Sequence, residues 1–260
     1  MSDSFENLST AQQQFRRRAA SYAMPSTPMD GKFAAFMISI SGAGKADNVL
    51  EMACGAGSTA IAFAERCKSV VGIDVVAEPL ARARQQAVSR GITNAAFTLS
   101  EVERVPFGEA AFTGAICRFS FHHFVNPDLV FAEMARVVAP GGWMVISDMA
   151  SSEDPERAAF HNQLERLCDP THTRTLPVSE FEGMFAERGF RTVMKVARDA
   201  RLTLDDWIRF GGAPPENAAK LRELVESSID TDRAGLRFTR DGGTIRLVHP
   251  SFSFVIEREI

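Results

Sequence analysis

From Val49 onward the chain alternates short apolar runs with amphipathic segments, and no feature restricts its folding more tightly. VLEMA, Val49 to Ala53, leads into the glycine turn CGAG and a helix-like STAIAFAERC. SVVGID ends at Asp74 and is followed by an Ala- and Arg-rich helix from about Pro79, which Gly91 stops as a C-terminal glycine. AAFTLS and TGAICRF read as the third and fourth strands. Asn126-Pro127 then opens a helix, with asparagine as cap and proline at the first helical position. Leu129, Phe131, Met134, Val137 and Val138 recur at helical spacing and predict its buried face. Pro140-Gly141-Gly142 ends that helix and WMVISDM supplies a fifth strand. Such βα alternation builds a parallel sheet.

The remainder of the chain changes character. Ser179-x-x-Glu182 has capping-box spacing before FEGMFAERG, and RTVMKV is a strand. Asp241-Gly242-Gly243 lies between FTR and TIRLV, and SFSFVIERE closes with alternating side chains, which predicts a hairpin and an antiparallel final strand. Three segments depart from the alternation: residues 1–45, about 151–176 and about 200–235. The last holds Thr203 as a helix cap, Trp207 and Phe210 on one helix, a Gly-Gly-Ala-Pro-Pro break, and a second helix through Leu221, Leu224 and Val225. Ligands of open α/β sheets lie beyond the carboxyl ends of the strands, where inserted helices cover them. The organisation is therefore an N-terminal helical lid, 1–45, and a main domain, 46–260, with cap insertions at about 151–176 and 200–235.

Composition narrows the function. A chain of 260 residues with 45% hydrophobic content can bury a full core, and its net charge of -4 lacks the basic footprint of a nucleic-acid binder. Cys54, Cys67, Cys117 and Cys168 form no C-x-x-C pair, so neither a zinc site nor a disulfide framework is indicated. The polar N-terminus and the lack of any apolar run of spanning length argue against a membrane and for a cytoplasmic protein. No His/Asp/Glu set shows ligand spacing, so no metal is expected.

Gly55 and Gly57 directly follow a strand, where a missing Cβ permits a tight turn and close approach of a ligand. Alone, the turn fits a dinucleotide, another nucleoside ligand or a plain connection. Asp74, ending the second strand, is placed to accept both ribose hydroxyls of a nucleoside, a feature shared with nicotinamide proteins. Glu51 lies inside the first strand, where a carboxylate needs a cationic or hydrogen-bonding partner and a nearby pyrophosphate would worsen its position.

Taken together, VLEMACGAGSTA, VVGIDVV, SEVERVPFGEAAFTGAICRFSFHHF and RVVAPGGWMVISDM resemble the S-adenosylmethionine-dependent class I methyltransferases over about residues 45–150. Within them the chain is most similar to the ubiquinone/menaquinone C-methyltransferase-like, or methyltransferase type 11, branch. LTLDDWIRFGG is similar to a cap segment of some members. The resemblance implies an α/β fold: a Rossmann-like, seven-stranded, doubly wound sheet with its last strand antiparallel, plus helical lid insertions. It implies S-adenosylmethionine as cofactor and S-adenosylhomocysteine as product. Glu51, Gly55 and Gly57 would surround the amino-acid portion, with Cys54 lending backbone contacts, Asp74 on the ribose and Val75 against the adenine. Glu101 stands where the family usually carries an Asp before an L-P-F sequence, here Val105-Pro106-Phe107. It either accepts from the adenine amino group, with Val102 offering its amide, or is a solvated loop residue. Arg118 and Phe119 end the fourth strand, where the family places a residue facing cofactor or substrate. Arg118 either recognises a carboxylate or oxyanion or pairs with Glu51 or Asp148. Tyr22, the only tyrosine, lies in the segment that this branch folds over the cofactor, and either contacts the ligands or packs.

A sulfonium carries an already activated methyl group, so such an enzyme mainly aligns an acceptor and excludes water, using a base only where the acceptor must lose a proton. His122 and His123, in FSFHHF, are the catalytic candidates, His122 being favoured; the alternative is that both orient the loop. Arg16 to Arg18 read as a solvated face. Met24, Trp207 and Phe210 either line an apolar acceptor pocket or pack in a core. The reaction expected is in-line transfer of a methyl group to oxygen, carbon or nitrogen of a small molecule. RFSF after the fourth strand, in place of Asp/Asn-Pro-Pro-aromatic, argues against nucleic-acid amino methylation. A nicotinamide-dependent oxidoreductase and a binding protein without methyl transfer are the alternatives.

Overall fold

The computed structural model describes residues 28–260. After α1 (Pro28–Ser41) come β1 (Asn48–Met52), α2 (Ser58–Ala64), β2 (Ser69–Asp74), α3 (Ala77–Ser89), β3 (Ala95–Leu99) and β4 (Phe112–Arg118). A short 3-10 turn (Phe121–His123) precedes α4 (Pro127–Val137) and β5 (Val138–Met149). The chain continues through α5 (Pro155–Cys168), α6 (Val178–Ala186), β6 (Phe190–Thr203), α7 (Leu204–Gly211), α8 (Pro215–Ser228), β7 (Thr239–Asp241) and β8 (Thr244–Arg258). The sheet order is β3-β2-β1-β4-β5-β8-β6, with the short β7 paired to β8. β1 to β5 are parallel, and β8 runs antiparallel to both β5 and β6. This is the expected doubly wound sheet of seven strands with one short strand added.

The apolar strands are buried on both faces, as a central parallel sheet requires. Along β1, Val49 faces a core with Met37, Ile61, Phe63 and Val145, on the side of α1, α2 and α3. Leu50 and Met52 face the other core with Phe131, Met134, Phe181 and Phe185, on the side of α4 and α6. Gly91, at φ 68, ends α3, and the N–H groups of Gly91 and Ile92 return to the carbonyls of Val88 and Ala87.

α5, α7 and α8 build a third core beyond the strand ends, where Phe160, Leu164, Trp207, Leu221 and Val225 meet Ile245 and Leu247 of β8. The 151–176 and 200–235 segments therefore share one interior. β8 belongs to two cores, since Phe254 and Ile256 lie in the sheet core. The Gly242-Gly243 turn connects β7 to β8, with Asp241 opposite Thr244. Thr203 caps α7 by accepting from the Asp206 N–H at 3.0 Å.

Several local expectations are corrected. Leu129 is 52% exposed, and Val130 and Ala135 complete the buried face of α4 instead. Asn126 holds the cap position, but its side chain donates to Glu103 and makes no cap bond. α4 ends at Val137, and Val138 already pairs with Phe112; Pro140-Gly141-Gly142 lies in a register shift inside β5. The capping box at Ser179 does not form. α6 starts two residues earlier, with Pro177 at the cap position, the Ser179 hydroxyl donates to Glu153, and Glu182 pairs with Lys195.

Candidate functional site

At the C-terminal end of β1 the chain enters left-handed backbone three times, at Ala53 (φ 51), Gly55 (φ 52) and Gly57 (φ 76). The two glycines serve different ends. A Cβ on Gly57 would stand 2.7 Å from the Phe97 ring and 2.8 Å from the Ala83 methyl, so this glycine lets β3 and α3 close against the turn. A Cβ on Gly55 would meet nothing within 4 Å. Ligand space therefore lies at Gly55, and the close approach expected at Gly57 is made by the protein. The Cys54 amide donates to Ile73 and its carbonyl accepts from Gly57, so the backbone contacts assigned to it are largely taken by the fold.

Asp74 secures the turn. Its Oδ2 accepts from the Gly55 N–H at 2.8 Å and its Oδ1 from the Val76 N–H at 2.9 Å, at the start of α3. Burial raises its pKa, opposed by these N–H groups and that of Val75. Each oxygen retains a second lone pair for a hydroxyl donor.

Glu51 is the most unusual acid of the site. Burial pushes its carboxyl up to about 7, with the Arg118 charge only partly opposing this. The Ala60 N–H also lowers it, while among the described residues Oε2 has no hydrogen-bond partner. Arg118 donates to Ser58 Oγ at 3.4 Å and lies 5.8 Å from the centre of the Phe33 ring. Asp148 is engaged with His122 and with the N–H groups of Phe121 and Met149. Phe119 adopts φ 50, donates its N–H to Ser147 O at 2.7 Å and meets Phe33 at 5.2 Å between ring centres. α1 thus reaches over the end of β4. The Glu101 side chain is exposed, and Val102 packs half-buried against the α4-side core. Tyr22, Phe15, Arg16 to Arg18 and Met24 lie outside the described residues.

The 3-10 turn carries two histidines in different states. His122 Nδ1 lies 2.6 Å from Asp148 Oδ1. Burial lowers the His122 pKa, but the Asp148 charge and hydrogen bond outweigh it and the net direction is upward. His123 donates from Nδ1 to Thr171 O at 3.2 Å, and burial with the neighbouring His122 charge lowers it to about 4. His172 donates to Asn162 Oδ1 at 2.8 Å and is lowered by burial to about 3. The His122 carbonyl accepts from the N–H groups of Thr173 and Arg174, which ties the turn to the segment after α5.

Sequence reasoning missed most of this surround. Asp148 was considered only as a partner of Arg118, and His161, Glu165, His172 and His249 were not singled out. His161 and Glu165 are one helical turn apart, and with His249 they form the one group among the described residues whose possible metal-ligand atoms all lie within 4.8 Å of one another. Their i,i+4 spacing was a usable signal; the approach of His249 on β8 was not visible. Trp207 is buried in the cap core and Phe210 is 52% exposed, so neither is presented as part of the site. All four cysteines are buried and none is in a disulfide. No helix among the described residues is long and apolar enough to cross a membrane.

Residues 50–146 match the family model described as a methyltransferase domain. The chain is 29% identical over 221 residues to the uncharacterized methyltransferase YcgJ of Bacillus subtilis, covering 84% of this chain and 87% of that one. The crystal structure of YcgJ superposes with a TM-score of 0.81 over 87% of this chain and 98% of that chain. A putative methyltransferase of Bacillus halodurans superposes at 0.83, with 24% identity and coverage of 88% and 100%. A ubiquinone/menaquinone biosynthesis C-methyltransferase of Bdellovibrio bacteriovorus is 30% identical over 128 residues, covering 48% of this chain and 54% of that protein.

Proposed function

Since this chain belongs to the class I S-adenosylmethionine-dependent methyltransferases of the type 11 branch, we propose that it methylates a small, partly apolar or aromatic acceptor at oxygen, carbon or nitrogen. The observation that carries the cofactor assignment is Glu51: a buried acid with one oxygen unpartnered, four residues before the open space at Gly55. An ammonium group is the ligand chemistry that such an oxygen lacks. Asp74 complements it with one spare lone pair on each oxygen, held in place by the turn it fixes. Glu101 and Val102 would meet the adenine, and Val75 would pack beside it. When bound, the cofactor supplies an activated methyl group on a sulfonium.

The protein's part is to bind, orient and deprotonate. Asp148 accepts a hydrogen bond from His122 Nδ1–H, which would set the ring's tautomer and leave the Nε2 lone pair to take a proton from an acceptor. His123, held neutral and bonded to Thr171, positions the turn. Arg118 and Phe119, under Phe33, would exclude water from the junction between donor and acceptor. The net charge of -4 favours a small molecule over nucleic acid. Parallel thermal-shift titrations with S-adenosylhomocysteine and NADH test the reading: stabilisation by the former is expected, and stabilisation by NADH alone would overturn it. Labelled S-adenosylmethionine with candidate phenols, enols and amines then tests transfer, which binding by itself does not establish.

A further inference from the structure

We propose that His161, Glu165 and His249 bind a divalent transition-metal ion of the zinc class, joining the cap helix α5 to strand β8. The family match ends at residue 146, before all three. Nε2 of His161 lies 3.2 Å, and Nε2 of His249 2.9 Å, from the same Glu165 Oε1. Tetrahedral zinc, with bonds of about 2.0–2.1 Å, holds neighbouring ligand atoms roughly 3.3 Å apart. The three donors thus already converge to the spacing of a coordination sphere.

Their hydrogen bonding points the same way. His249 Nε2 lies 2.9 Å from Glu165 Oε1, and its Nδ1 has no hydrogen-bond partner among the described residues. The imidazole is only 2% exposed. A cation at Nε2, shared with the buried Glu165 carboxylate, would draw the imidazole and the acid into one coordination sphere. The surroundings hold the donors still: His161 and Glu165 are adjacent on one helical face, and Trp207 packs edge-on against His249 at 5.4 Å between ring centres. Two imidazoles and one carboxylate favour zinc, cobalt or nickel over magnesium or calcium, which take all-oxygen sets. Three protein ligands leave a fourth position for water or an acceptor atom.

The test uses the full-length protein without an affinity tag, stripped with chelator and dialysed, then titrated with Zn2+ and, separately, Co2+. One equivalent of bound metal by elemental analysis is expected, together with visible ligand-field bands for Co2+ that lack a thiolate charge-transfer component. Glu165→Gln and His249→Gln, checked for folding by circular dichroism, should each weaken binding at least tenfold. No metal retained at micromolar free Zn2+, a thiolate band, or unchanged binding in folded variants would overturn the proposal. Should the variants not fold, the cobalt spectrum of the wild-type chain decides between nitrogen/oxygen and sulfur ligation.

Discussion

Replacing Glu51 by glutamine separates the acid's effect on folding from its effect on ligand binding. Burial lifts its pKa from 4.5 to about 7. At about 1.36 kcal/mol per pKa unit, ionising it in the folded protein costs about 3 kcal/mol. The folded value lies above the unfolded one, so between pH 4.5 and 7 the native state binds more protons and stability falls as pH rises; above 7 the full cost is present. Glu51→Gln has no such proton to lose. At pH 8.5 the variant should therefore be the more stable by up to about 3 kcal/mol, roughly 6–12 °C in Tm for a domain of this size. The difference should vanish near pH 4.5. In saturating S-adenosylhomocysteine the variant's advantage should shrink by about 1.4–2.7 kcal/mol, because loss of a charge-assisted hydrogen bond weakens binding by about 10–100-fold. Binding at pH 7 should also release up to about half a proton from Glu51, seen as a dependence of calorimetric heat on buffer ionisation enthalpy. Parallel Tm–pH curves for the two proteins, or equal affinities for the ligand, would refute this account of the buried oxygen.

Asp148→Asn and His122→Ala should each lower kcat by about 100-fold or more while leaving S-adenosylhomocysteine affinity within a few-fold, measured by turnover and calorimetry. Because Asp148 overrides burial and raises the His122 pKa, wild-type kcat/KM should fall as pH drops through a value above 6.5; Asp148→Asn should move that limb to lower pH. Gly57→Ala should destabilise by about 2–4 kcal/mol, from the left-handed φ and the overlap with Phe97 and Ala83, whereas Gly55→Ala should cost only about 1 kcal/mol; urea denaturation compares them. Trp207→Ala should lose about 3–5 kcal/mol by emptying the cap core, again read from urea midpoints.

The sheet was legible because its strands are buried on both faces and leave uninterrupted apolar runs, with glycines at their ends. Glu51 and Asp74 could be placed from their positions within β1 and at the end of β2. Errors arose where short-range pattern met longer-range competition. Ser179 had the spacing of a cap, but Glu153 took its hydroxyl; Leu129 kept the helical period, but α4 rotates so that Val130 packs inward. The distinction between Gly55 and Gly57 depended on Phe97, a neighbour brought in by β3. The His122 environment depended on Asp148, from the end of β5, and on the segment after α5. Such pairings are created by tertiary contact and leave no periodicity to read.

β8 carries a further implication. Its residues from Ser251 to Glu257 are laced between β5 and β6, while Ile245, Leu247 and His249 continue the same extended backbone into the helical cap. The cap is thus cantilevered from the sheet by a beam rooted in the central core. Tilting it would bend a strand hydrogen-bonded along its length, so strain in the cap would be felt at β5, beside Asp148, in the manner of a lever rather than a hinged door.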